Sequence, residues 1–589
     1  MIKKISWGEN GMRGVWFTSA LFASLAVIFI LGYLLITALP VFFEVGLTGF
    51  LFGTDWNPTG TNPSYGIGAL IVGTLLVTAG AMLFSIPLGL LSAVFLAYVA
   101  PKKLRDAVKP AIELLAGIPS VVYGFFGMLV LCSFLQKVFD VPSGFSWAAA
   151  SILLGIMALP TIVSISEDAL SAVPKDFREA SLGLGATRFQ TISRVLLPAA
   201  ASGISAAVVL GMGRALGETM AVMMVAGNSA VIPSPLWDVL SPIRTLTATL
   251  GIELAEVSAG SMHYYALFGI AVVLLAITLA VNLASRFVTR RIETGKQLFT
   301  LPTLPELPVR IPPRVTEKIA FACIYLGTFA VLAILAVILG NIFINGIPAI
   351  SWEFLTESPK DLGRAGGIFP AIVGTVELVF GAILIALPIG AGAAVYLHEY
   401  AKTSRITAGI RTGIDLLSGT PSVVFGVFGF AFFVIFLGWG ICLLAGMICL
   451  ALMILPTIIK TTEEALKSVP DSLREASLGL GATKTQTIFR AVLPAAASGI
   501  ITGAVLSLGR AAGETAPIMF TAVVFSKRFI TPDLFEPVMA LPFHLYVLTT
   551  SVPNTEPQQY ATAVVLICMV AAIYVTAAIL RRKFQRNLA

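Results

Sequence analysis

Twelve apolar runs, each long enough to cross a bilayer, dominate this chain and leave few folds open to it. They lie near residues 15–40, 67–99, 107–135, 146–166, 197–226 and 264–286, then 319–345, 368–397, 408–438, 440–459, 494–525 and 559–580. About 20 apolar residues suffice for one helical span. The reading is an all-α integral membrane protein with about twelve transmembrane helices. Composition agrees: 57% of the 589 residues are hydrophobic and 12% charged, against roughly 25% charged in soluble domains. A soluble enzyme is excluded. The first run, from Val15 to about Phe43, is too long for a signal-peptide core and is kept as a helix. Cys132, Cys323, Cys442, Cys449 and Cys568 lie in or beside apolar stretches with no metal-binding spacing, so neither a disulfide framework nor a zinc site is expected.

The net charge of +7 has a topological origin, not that of a nucleic-acid-binding face. Lys and Arg concentrate in the two tails and in alternate loops. The opposite loops hold only Lys137, Arg244, Lys360, Arg364, Lys527 and Arg528. The positive-inside rule places both termini in the cytoplasm. Residues 287–316 are basic and proline-rich without an apolar run, and read as a cytoplasmic linker between a first half, 1–286, and a second, 317–589.

The halves are copies. REASLGLGATRFQTISRVLLPAAASGI, from Arg178, returns as REASLGLGATKTQTIFRAVLPAAASGI from Arg474, displaced by 296 residues. GIPSVVYGFFG from Gly117 recurs as GTPSVVFGVFG from Gly419, and GRALGETM from Gly213 as GRAAGETA from Gly509. Six spans per half give both copies one orientation, a parallel repeat about an axis along the membrane normal.

Between the fourth and fifth spans of each half comes a segment too polar for lipid yet built of helix formers. Its first copy is read as a helix through Phe177, Arg178, Glu179 and Ala180, with Gly183 and Gly185 permitting a turn and with Glu179, Ser181 and Thr187 on an exposed face. One copy could be an ordinary amphipathic connector. Two near-identical copies suit a surface that docks a dimeric partner.

The arrangement Glu179, Ala180, Gly185, Ala186 and Pro198, repeated at Glu475, Ala476, Gly481, Ala482 and Pro494, resembles the EAA loop of ABC-importer permeases. With the GxPSVV and GRAxGET motifs, the chain is similar to the phosphate-specific (Pst) permeases. The stretch FLFGTDWNP from Phe50 resembles the PstC member, and SWEFLTESP from Ser351 the PstA member. The resemblance implies two six-helix type I importer repeats, here fused. It implies a multi-pass protein of a prokaryotic plasma (inner) membrane that translocates inorganic phosphate. It also implies two copies of an ATP-binding subunit, docked on loops containing Glu179, Ala180, Gly185, Glu475, Ala476 and Gly481, and an extracytoplasmic phosphate-binding protein. A permease for molybdate, sulfate or phosphonate, or a secondary transporter with a parallel repeat, are the competing readings.

No phosphate-binding G-x-x-x-x-G-K-[ST] occurs, since ETGKQ at Glu293 lacks the upstream glycine and the hydroxyl. ATP and magnesium therefore belong to a partner, and no cofactor, metal site or catalytic constellation is expected in this chain. His263, His398 and His544 are isolated near span ends and read as structural. The conspicuous chemistry is inside the membrane. Arg214 and Arg510 lie in the fifth spans, with Glu218 and Glu514 four residues on. A charge at mid-bilayer costs on the order of 2.5 to 3.5 kcal/mol on insertion scales, so such residues face the bundle interior. The i, i+4 spacing lets each Arg pair with its own Glu on one helix face, a purely structural lock. The alternative is a pathway in which guanidinium binds an oxyanion through paired donors while Glu competes for it, with Thr219 and Thr515 adding hydroxyls. Pro119 and Pro421 break the third spans, so that Ser120 and Ser422 either flank a kink or begin half-helices whose free N–H groups point at an anion.

Overall fold

A computed structural model describes residues 2–293, 313–402, 404–527, 529 and 533–588. Its first half runs through α1 (Ile2–Glu44), α2 (Gly68–Val99), α3 (Lys102–Gly117), α4 (Ser120–Phe139), α5 (Trp147–Ser171), α6 (Lys175–Gly183), α7 (Arg188–Ala199), α8 (Ala201–Gly217), α9 (Met220–Val225), α10 (Leu246–Glu253) and α11 (Met262–Glu293). The second half repeats the order as α12 (Pro313–Gly346), α13 (Phe369–Tyr400), α14 (Arg405–Ser418), α15 (Ser422–Phe436), α16 (Leu443–Lys467), α17 (Asp471–Gly479), α18 (Lys484–Gly513), α19 (Ala516–Met519), α20 (Leu541–Ser551) and α21 (Glu556–Leu588). Among the described residues, ten helices are long and apolar enough to cross a membrane. There are twelve when the bent pairs α7–α8 (72°) and α14–α15 (96°) each count as one span.

α5 and α16 form the centre of each half, because they are the most buried of these helices. Small residues let neighbours approach them: a Cβ on Gly89 of α2 would strike Ile162 of α5 at 2.6 Å, and one on Gly390 of α13 would strike Ile458 of α16 at 2.6 Å. α1 and α12 carry the outward apolar surface, with Phe22, Ile28, Ile36, Leu326 and Phe329 exposed, as a lipid-facing helix requires. These two helices also cross over. α1 packs on α13 and α14 of the second half, and α12 on α2 and α3 of the first. After each first helix a two-stranded antiparallel hairpin caps the bundle, Trp56–Asn57 with Ser64–Tyr65 and Pro359–Lys360 with Ala365–Gly366.

Two expectations change. The third spans are not continuous helices from 107 and 408: each breaks at its proline, and in the second half the two pieces form one bent pair. α3 is amphipathic, burying Val108, Ile112 and Leu115, and the apolar helix starts only at Ser120, after the extended Pro119 (ψ 143). The fifth spans do not run on to 226 and 525, because α8 ends at Gly217 and α18 at Gly513. Of the linker read as 287–316, α11 covers the part to Glu293 and α12 the part from Pro313; residues 294–312 lie outside those described.

Candidate functional site

The chemistry-bearing elements meet on the pseudo-twofold axis between the halves. Each GRAxGET segment ends its helix, and each GxPSVV segment breaks and restarts one. Gly217 packs against Pro421 of the other half, where a Cβ would come within 3.5 Å, and Gly513 packs against Pro119, where the distance would be 3.3 Å. A Cβ would be in ordinary contact at Gly217 and slightly crowded at Gly513.

The crossing encloses a cavity of about 490 Å³. Ser120, Arg214 and Glu218 line it from the first half and Ser422, Arg510 and Glu514 from the second. The charges act across the halves as well as within them: Glu514 is attracted by Arg214 as well as by Arg510, and Glu218 is repelled by Glu514. Arg510 Nε lies 3.7 Å from Glu514 Oε1. Ser120 sits beside the Glu218 carboxylate and Ser422 beside that of Glu514. Both serines begin a helix, α4 and α15, with their N-terminal turns at the cavity wall.

Arg510 and Glu514 do form the i, i+4 pair, but not along one continuous helix face. Glu218 and Glu514 have left the helix, with extended backbones (ψ 131 and 135) as the caps of α8 and α18. The Thr247 hydroxyl donates to the Glu218 carbonyl at 3.0 Å, holding the broken turn. Thr219 and Thr515 do not line the cavity: both are buried behind it, and their hydroxyls have no hydrogen-bond partner among the described residues. The helices break after Gly217 and Gly513, so the register of a continuous helix does not carry these side chains to the cavity.

Among the cavity residues that escaped sequence reasoning are Asn282 of α11 and Tyr574 of α21. Tyr574 stands within the field of both Arg214 and Arg510. Neither interrupts its apolar run enough to stand out. Glu167 and Glu463 were also missed, although they occupy equivalent places 296 residues apart. The Glu167 side chain is fully buried and receives Arg105 and Lys109 of α3, the latter at 2.6 Å; Glu463 receives Arg411 of α14 at 2.8 Å. Each pair clamps an amphipathic helix to the end of a central one, immediately before the polar loop.

In that loop α6 and α17 project outward. Glu179 and Ala180, like Glu475 and Ala476, are exposed. Gly185 and Gly481 turn the chain at φ 83 and 82, a conformation glycine adopts without strain, whereas Gly183 stays within the helix end. Ser181 and Thr187 are not free surface groups. Ser181 bonds the Thr191 hydroxyl at 3.0 Å, and Thr187 caps α7 in a reciprocal box with Gln190. The second copy repeats both arrangements at Ser477 and Thr483. Leu184 and Leu480 stand 89% and 90% exposed at the tips, so each protrusion presents an apolar knob beside its glutamate. Among the described residues no group of His, Cys, Asp and Glu is arranged to hold a metal ion.

A parallel pair of helical repeats, with a charged cavity between them and matched protrusions at one end, defines a multi-pass transport permease. The chain belongs to the family of binding-protein-dependent transport system inner membrane components, which matches residues 85–294 and 386–589. It is similar to a probable ABC transporter permease protein, YqgH, of Bacillus subtilis (strain 168), 41% identical over 46% of this chain and 86% of that protein. It is similar to the phosphate transport system permease protein PstC of Mesorhizobium japonicum, 35% identical over 41% of this chain and 79% of that protein. The phosphate transport system permease protein PstA homolog of Mycoplasma pneumoniae is 26% identical over 85% of this chain and 83% of its own length. The chain is thus an ABC importer permease, a pore-forming membrane subunit, related to both Pst permeases.

Proposed function

We propose that this chain forms the translocation pore for inorganic phosphate in an ATP-driven importer. The observation that carries the reading is the cavity in which Arg214, Arg510, Glu218 and Glu514 of both halves converge. Two guanidinium groups offer paired donors to a tetrahedral oxyanion. Two carboxylates in the same space compete for those donors, so that the anion is held weakly enough to leave. Ser120 and Ser422 add hydroxyls and the N-terminal ends of α4 and α15. The phosphate-transport titles of the PstC and PstA-homolog relatives support this substrate.

Hydrolysis belongs to two copies of an ATP-binding subunit, one docked on α6 through Glu179 and Leu184 and one on α17 through Glu475 and Leu480. An extracytoplasmic phosphate-binding protein delivers substrate at the opposite end. The distribution of Lys and Arg supports cytoplasmic termini and a prokaryotic plasma membrane location. The chain divides into a PstC-like half, a short tether and a PstA-like half.

Uptake by vesicles containing the permease, its ATP-binding subunit and the binding protein tests the proposal. Phosphate entry should require ATP hydrolysis and persist in excess sulfate and molybdate. Uptake of sulfate or molybdate in preference to phosphate reassigns the oxyanion. Uptake at full rate without the ATP-binding subunit rejects the importer in favour of a secondary transporter.

A further inference from the structure

The two halves differ sharply beside their protrusions. In the second half the space between α13, α17 and α18 is filled by α1: Trp16 packs its ring 5.3 Å from Tyr400 and 5.7 Å from Phe489. The cations there are satisfied. Arg474 pairs with Glu399 at 2.9 Å and Asp471 at 3.2 Å. Lys484 lies over the Tyr400 ring, its amide donates to Glu9, and its ammonium donates to the Glu399 carbonyl.

In the first half Tyr400 and Phe489 have no aromatic counterpart and Glu399 no acidic one. Val99 stands where Tyr400 does and Ser193 where Phe489 does, and Tyr98 replaces Glu399. The Tyr98 hydroxyl donates to the Leu170 carbonyl at 2.6 Å, much as Arg474 donates to that of Leu466 at 2.9 Å in the second half. Arg178 and Arg188, the counterparts of Arg474 and Lys484, make no ion pair among the described residues. What remains is a cavity of about 720 Å³ bounded by α2, α6, α7 and α12. Lys318 of α12 brings a third cation to its wall and Glu317 the one acid. The rest is Tyr98, Thr191, Phe321, Tyr325 and aliphatic side chains, and Tyr325 leads onto the exposed apolar face of α12 at Leu326 and Phe329.

We infer that this cavity is a binding site for the phosphate-bearing headgroup of an anionic phospholipid, with Arg178, Arg188 and Lys318 on the phosphate and the glycerol end along Phe321 and Tyr325. Cations with no ion pair among the described residues, at the end of a lipid-facing helix and next to aromatic rings, suit a headgroup of this charge. Continuity with the lipid-facing surface favours lipid over free phosphate. The inference is independent of which anion the permease transports.

Native mass spectrometry of the full chain, with phosphatidylglycerol and phosphatidylcholine offered together, reads the site directly. The wild-type protein should retain phosphatidylglycerol in preference. Arg188→Gln with Lys318→Gln should weaken that retention about 30-fold, equivalent to about 1 kcal/mol for each cation. Ala322→Trp, which fills the cavity while keeping every cation, should also abolish it. Lys484→Gln, at the filled site of the other half, should not. Inorganic phosphate should leave the lipid bound. Undiminished phosphatidylglycerol retention in the Ala322→Trp protein overturns the proposal even if the double variant fails to fold. Displacement of the lipid by an equal concentration of inorganic phosphate overturns it in favour of a free-phosphate site.

Discussion

Arg214 acts on two carboxylates, Glu218 of its own half and Glu514 of the other, so its role extends beyond one helix. A purely structural pair predicts that removing both partners restores what removing one destroys. The cavity predicts otherwise. Arg214→Ala with Glu218→Ala should assemble normally by size-exclusion chromatography yet lose phosphate uptake by tenfold or more. A double-mutant cycle between Arg214 and Glu514 should show coupling energy of about 1 kcal/mol, since both face one low-dielectric space. Normal uptake by a protein lacking both arginines and both glutamates would reject the pathway. These four residues were legible because ionisable groups in an apolar run have few other uses. Thr219 and Thr515 misled because the chain was read as continuous helix: no proline marks the turn at Gly217, and a short polar break in an apolar run leaves no periodic signal. Asn282 and Tyr574 were illegible for the opposite reason. They reach the site only through the packing of the sixth helices, which nothing local encodes.

Among the elements, α6 and α17 were foreseen because they are repeated, and their internal bonds explain why the repeat is so strict. Ser181 to Thr191 ties the protruding helix to the one that follows, whose first turn the Thr187–Gln190 box caps, so a push on the protrusion is passed to α7 and α8. Glu179→Arg or Glu475→Arg should lower the ATPase stimulation of the assembled importer severalfold without changing permease yield. Thr187→Ala should cost about 1 kcal/mol through the lost cap and loosen coupling with Glu179 intact. Unaltered ATPase stimulation in both glutamate variants would remove the docking role. At the opposite end, Glu253 gathers Trp56 of the hairpin at 3.2 Å, Arg244 at 2.5 Å and His263 at 2.7 Å. Its side chain is only 15% exposed, so Glu253→Gln should destabilise the first half by about 2 kcal/mol, visible as a lower unfolding temperature in detergent. The PstC-like stretch around Trp56 could be recognised in the sequence, but its partners, some 190 to 210 residues on, could not.

At the scale of the whole molecule, the crossover of α1 and α12 decides how far the fusion matters. Neither half buries its own surface completely: α1 lies on α13 and α14, α12 lies on α2 and α3, and Trp16 fills the space beside Tyr400. The cavity walls meet where Gly217 packs on Pro421 and Gly513 on Pro119, each pair drawn from both halves. Assembly is therefore carried by packing between the halves, with the covalent connection raising only their effective concentration. If so, a gene cut between residues 294 and 312, with both pieces co-expressed, should give a complex that co-purifies and transports phosphate at close to the intact rate. Either piece expressed alone should aggregate or be degraded, because the faces of α1 and α12 lack their partners. A first piece truncated before Val45, and so without α1, should fail to rescue the second even though every cavity residue is present. Transport by that truncated pair would show the crossover to be dispensable, and loss of transport by the simple cut, with both pieces still co-purifying, would assign the tether a role beyond holding the two permeases together.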